Sequence, residues 1–246
     1  MKEPRVSPLP RLIVRILFVG VILTIGFLCL VAQRSGAPEV ATVKMAIGVI
    51  LLWIVLGGAL MYRFREPVRE CIRRLPLDWR VKFVLFATIL ALMEEAIAVL
   101  MTNLAPFLGV KVGEAYITAS TNFLDVVLFH SVVVFVPLFI AWAILLSRYD
   151  FSPFAVFLLF GLTGIVCEAG INPAGAIVGF AMWIFIYGLM LYLPAYSIPA
   201  ERGARKPLWY HHVLAIPAAF LIALPLLLPI VYVLGYVLKH PPGAHF

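Results

Sequence analysis

The chain has 246 residues, 64% of them hydrophobic and only 13% charged, with a mean hydropathy of +1.08. That balance excludes a soluble globular domain and points to an all-α, polytopic membrane protein. The net charge of +7 comes from basic residues spread along one membrane face. It therefore reads as a topology signal and an affinity for anionic lipid, not as a nucleic-acid footprint.

A helix of roughly 20 apolar residues crosses the ~30 Å hydrocarbon core. About seven such runs are found, at about 12–32, 43–61, 83–107, 123–146, 153–170, 174–195 and 213–237. The connections are short, so residues 1–246 read as a single multi-pass domain, in the cytoplasmic (plasma) membrane if the chain is prokaryotic. The Lys/Arg bias of the loops sets the orientation as N-in/C-out. The inner side then holds Lys2, Arg5, Arg11, Arg15, Arg63, Arg65, Arg69, Arg73, Arg74, Arg80, Lys82, Arg148, Arg202, Arg205 and Lys206. The outer side holds only Arg34, Lys44, Lys111 and Lys239. The first run follows a basic segment but precedes no small-x-small cleavage site, and reads as an uncleaved anchor.

Residues 62–82 alternate Val68, Ile72 and Leu75 with Arg65, Arg69 and Arg73. They fit either an interfacial amphipathic helix or a solvated basic loop. The third run carries two adjacent glutamates, Glu94 and Glu95, at mid-membrane depth. Each carboxylate costs about 2.5–3.5 kcal/mol there on insertion scales. Glu95 shares a helical face with Thr102, whereas Glu94 points about 100° away. Two like carboxylates in low dielectric are not both charged, so at least one is expected to hold a proton near pH 7 and to serve as a general acid or base.

Asn122 stands at the start of the fourth run, which contains Asp125 and His130, and the third contains Asn103. Asn122 and Asp125 also fit as helix-start caps, and His130 as a neutral core histidine. Asp125 and His130 are five apart, about 140° around an ideal α-helix, and so are expected to face different partners. The fifth and sixth runs form a tight hairpin. Gly161, Gly164 and Glu168 fall on one stripe of the fifth, and Gly175 and Gly179 make a small-xxx-small face on the sixth. Asn172-Pro173 between them reads as an N-cap with proline at the first helical position. Glu168 sits near the end of its run and would also complement the following helix dipole. The last run contains Pro217, Pro225 and Pro229, each expected to bend it.

Cys29, Cys71 and Cys167 show no CxxC spacing. The geometry permits a Cys29–Cys167 disulfide, but small apolar packing residues are the expected role. His211 and His212 lie at a membrane edge, and His240 and His245 in a short polar tail, with no role assigned. With one histidine inside the membrane a haem protein is not expected. The last run has no mid-membrane lysine, which excludes a retinal Schiff base. The two halves show no inverted pair of broken helices.

Glu94-Glu95, then His130, then Glu168-Ala-Gly-Ile-Asn172 resemble the motifs of the CAAX protease and bacteriocin-processing family of glutamate intramembrane proteases. Those motifs read EExxxR, FxxxH and HxxxN or HxxxD on successive membrane helices. Here Val99, Val126 and Glu168 stand at the arginine, phenylalanine and third-motif histidine positions. The resemblance implies a protease-like hydrolase acting on a membrane-embedded peptide. Glu95 or Glu94 would activate water, with His130 and Asn172 as polarising groups. Glu168 in place of the histidine leaves a metal-like Glu/His/Glu set as an alternative, and neither metal nor cofactor is specified. Read from the residues alone, a proton- or cation-coupled transporter and a non-catalytic scaffold or accessory subunit stand beside the hydrolase.

Overall fold

The computed structural model describes residues 8–241 and 243–246. Lys2 and Arg5, assigned above to the basic side, lie outside the described residues. In chain order the helices are α1 (Pro8–Ala32), α2 (Ala37–Arg74), α3 (Trp79–Asn103), the pair α4 (Phe123–His130) and α5 (Val132–Arg148), α6 (Pro153–Ile171), the short α7 (Pro173–Val178), α8 (Phe180–Ser197) and α9 (Trp209–Val237). Among the described residues there is no β-strand. Among the described residues six helices are each long and apolar enough to cross a membrane, and the α4–α5 pair, bent by 49°, brings the number to seven when read as one broken span.

Short polar residues start several of these helices. Asp78 accepts from Arg80 N at 2.9 Å to begin α3, and Asn122 from Leu124 N at 3.0 Å to begin α4. Ser152 accepts from Ala155 N at 3.1 Å before Pro153. Asn172 accepts from Gly175 N at 3.0 Å before Pro173, the start expected from its Asn-Pro pair. All three prolines of the last run lie inside one continuous helical segment, Trp209–Tyr232.

The 62–82 segment differs from both expectations. Residues up to Arg74 continue the second crossing as one 38-residue helix, about 57 Å long at 1.5 Å per residue, so α2 outruns the hydrocarbon core. Its projecting end is docked rather than free. Arg73 donates to Ser197 O at 3.4 Å and to Ile198 O at 2.9 Å, and Tyr196 donates to Glu66. The amphipathic pattern arises because one face covers the end of α8 and the other meets solvent.

α8 is the central helix. In its apolar window 78% of residues are buried, against 17% in α1 and in α9. It packs on α1, α2 and α3, and most extensively on α6. Small residues set that last contact. A Cβ on Gly161 would stand 2.7 Å from Ile184 O, and one on Gly188 2.6 Å from Phe157 O, so the two backbones touch. The expected Gly175/Gly179 face does not take part. A Cβ on Gly175 would meet the Asn172 side chain, and one on Gly179 the Trp183 indole, because the helix breaks between α7 and α8. Trp183 Nε1 donates across the break to Gly175 O at 3.2 Å. The three cysteines are free thiols.

The connections gather at two ends. One holds Arg73 on α8, Arg80 bonded to Ser147 at 2.8 Å, and Arg202 bonded to Asp150 at 2.6 Å. The other holds the 104–122 loop and the C-terminal tail, tied by His245 N to Ala119 O at 2.8 Å. Arg73, Arg80 and Arg202, assigned by sequence to the inner side, lie at the first end.

Adding one methyl group at the α6–α8 contact is expected to be costly. Gly161→Ala should lose about 1–3 kcal/mol, as overpacking does. Gly26→Ala, where a Cβ meets nothing within 4 Å, should lose nothing. Thermal melts of both variants in detergent check this, and equal melting would refute the close-approach account.

Candidate functional site

Glu94 and Glu95 are both buried, at 6% and 7% exposure, at the middle of α3. Their neighbours come from other helices. The Ser131 hydroxyl, at the α4–α5 bend, meets Glu95, and Glu168 on α6 lies within electrostatic reach of both glutamates. Tyr187 of α8 donates its hydroxyl to Glu168. The fold therefore brings three carboxyl groups, a phenol and a serine together inside the membrane region. Among the described residues no lysine, arginine or histidine forms an ion pair with any of the three.

Two turns along α3, Thr102 is buried on the face of Glu95, as its spacing implies. Its hydroxyl accepts from Ile117 N at 3.2 Å and lies 2.8 Å from the Thr118 hydroxyl. Asn103 Nδ2 lies 2.9 Å from both Val99 O and Thr121 O. These contacts seat the 104–122 loop on the end of α3, so Thr102 and Asn103 anchor a cover over that end.

His130 and Asn172 do not join the carboxyl cluster. Asn172 is exposed and its Oδ1 is engaged in the α7 cap. His130 faces Asp125, with Nε2 3.6 Å from Oδ2. The expected 140° separation of these two residues does not hold, because Val126–His130 is wound as a π-type turn. Ser131 N bonds Val126 O at 3.0 Å, five residues back, which stacks residues five apart on one side. Of the two, Asn122 supplies the cap and Asp125 does not. Glu168 takes the Tyr187 hydroxyl rather than a helix N-terminus.

Sequence reasoning missed His240 and His245. The tail folds back so that His240 Nε2 lies 2.9 Å from Asp125 Oδ1 and His245 Nε2 lies 3.0 Å from Oδ2. A signal existed: seven runs read from the sequence place the residues after the last run at the end of the protein where Asp125 lies. Asp125, His130, His240 and His245 each offer one donor atom, all within 4.8 Å of one another, and are the residues able to hold a metal ion. The two clusters adjoin through consecutive residues, His130 turned to Asp125 and Ser131 to Glu95.

No protein-family model, curated protein or solved structure matches the chain. Its character as an all-α membrane protein with several crossings rests on its own helices.

If the carboxyl groups are not what holds the helices together, neutral isosteres should leave the fold intact. Glu94→Gln and Glu95→Gln are expected to melt in detergent at or above the wild-type temperature, since each removes a group that is costly to bury. A fall of several degrees in both would instead mark them as interhelical bonds worth ~0.6–2 kcal/mol each.

Proposed function

We propose that this is a proton- or cation-coupled transporter in which Glu94, Glu95 and Glu168 take up and release protons. The observation that supports it is a cluster of three carboxyl groups, Glu94 and Glu95 buried and Glu168 half-buried, in which Ser131 meets Glu95, Tyr187 meets Glu168, and no cation pairs with any of them among the described residues. Such a group holds a proton or borrows a cation from outside, and a site that does either by turns is a relay. The broken crossing adds support. Helices interrupted inside the membrane expose backbone groups that bind ions, and the α4–α5 break falls at Ser131, beside Glu95. Among the described residues one crossing is sharply bent, at α4–α5, which fits a simple exchanger better than a large rocking carrier built on an inverted pair of broken helices. The same reading seats the basic end on anionic headgroups.

The hydrolase suggested by the motif resemblance uses Glu95 as well, but needs His130 and Asn172 around the same oxygen atom. In this fold Asn172 serves the α7 cap and His130 serves Asp125. The geometry therefore favours proton exchange over water activation.

Sealed proteoliposomes with an internal pH dye test the proposal. Wild-type protein should pass protons down an imposed gradient, alone or against Na⁺, K⁺ or a divalent cation. Glu94→Gln and Glu95→Gln should each slow this by about tenfold or more, as expected when a proton-transfer group is removed. The absence of flux for every ion tested would contradict the reading, and cleavage of a membrane peptide abolished by Glu95→Gln would replace it with the hydrolase.

A further inference from the structure

The geometry points to a divalent transition-metal site, of the zinc type, formed by Asp125, His130, His240 and His245, which clips the C-terminal tail onto the broken fourth crossing. It is independent of the carboxyl-cluster reading, since none of its ligands belongs to that cluster.

The donor set has the right chemistry. Three imidazoles and one carboxylate suit zinc and its first-row neighbours, and no thiolate or hard-oxygen cage is involved. All three histidines turn the same nitrogen, Nε2, toward Asp125. The rings crowd one another, with centroids 4.8 Å apart for His130 and His240, 5.3 Å for His130 and His245, and 5.1 Å for His240 and His245. Tetrahedral ligands at ~2.0–2.1 Å from zinc lie about 3.4 Å from each other. Donor atoms within 4.8 Å of one another need only small side-chain rotations to close on an ion.

Hydrogen bonding satisfies only part of this cluster, His240 Nε2 against Asp125 Oδ1 at 2.9 Å. Asp125 Oδ2 and His130 Nε2 are buried and make no hydrogen bond, and His245 Nε2, though 3.0 Å from Oδ2, is out of line for one. Buried polar atoms without partners are costly, so two facing each other imply a shared third party. His245 shows the expected outer support. Its Nδ1 lies 3.1 Å from Gly243 O, and a carbonyl can only accept, so Nδ1 carries a hydrogen and Nε2 is the nitrogen left to ligate a metal. Nε2 of His245 and Oδ2 of Asp125, 3.0 Å apart, thus form two adjacent donor atoms that one metal ion can bridge.

The tail is held for the purpose by other contacts. His240 N bonds Leu234 O at 3.0 Å, its ring packs on Phe129 at 4.5 Å, and Phe246 packs on Tyr116 at 4.7 Å. Two ligands come from the π-turn and two from the tail, so bound metal fixes the bend and the tail together.

The test uses the full chain in detergent, purified without a polyhistidine tag, stripped with chelator and titrated with Zn²⁺ by calorimetry. Co²⁺ serves as a second, coloured probe. Wild type should bind one ion per chain and melt higher when loaded, because a ligand of the folded state stabilises it. His240→Gln/His245→Gln lies outside the packed helices and should fold, yet lose more affinity than the about 10–100-fold typical of outer partners. His211→Gln/His212→Gln, at the opposite end, should bind as wild type. No stoichiometric binding by wild type, or wild-type affinity in the tail variant, would overturn the assignment.

Discussion

A carboxyl group taken out of water needs something to take its charge, and in the Glu94, Glu95 and Glu168 cluster the protein supplies a hydroxyl to Glu95 and another to Glu168 instead of cations. The rest of the site follows from this constraint. Ser131 can meet Glu95 only because the fourth crossing bends there, and Tyr187 can meet Glu168 only because α6 and α8 lie in backbone contact. Gly161 and Gly188 thus do more than fill space. They bring the phenol of one helix to the carboxyl of the other. A wider spacing would leave Glu168 without its donor and add an unpaired buried group to the cost of the cluster.

The bend at Ser131 also links the two polar clusters. A π-type turn inserts one extra residue into the helix, and such turns cost stability, so they persist where they place a side chain usefully. Here the turn stacks Asp125 with His130 on one side and delivers Ser131 to the carboxyl groups on the other. A metal ion holding the first side would stiffen the second. Ion occupancy at the mouth and proton occupancy at mid-membrane would then be coupled through one short segment of backbone, the kind of bistable element on which linkage between two sites depends.

Much of this was legible in the chain, and the parts that were not fail for identifiable reasons. Apolar run length located the crossings, and the Lys/Arg asymmetry located the basic end, because both depend on composition over many residues. The Asn172-Pro173 start and the Gly161/Gly164 stripe were also legible, since each depends on local backbone chemistry. The facing position of Asp125 and His130 was not, because the 3.6-residue period assumes an unbroken α-helix and nothing in Val-Val-Leu-Phe announces a wider turn. The roles of His240 and His245 were hidden because they depend on where a tail returns in space. Gly175 and Gly179 misled because a small-xxx-small spacing is the same in a packing face and in a break. The grouping of Glu168 with the paired glutamates was suggested by the motif resemblance, and its partner Tyr187 carried no sequence signal.

The central claim is that buried carboxyl groups here hold protons at neutral pH. Infrared difference spectroscopy on protein in lipid bilayers reads this directly, comparing wild type with Glu94→Gln and Glu95→Gln at pH 7. The account predicts a protonated-carboxyl band in wild type that shifts in deuterated water and disappears in at least one variant. A spectrum at pH 7 with only ionised carboxylate, unchanged by either substitution, would contradict it.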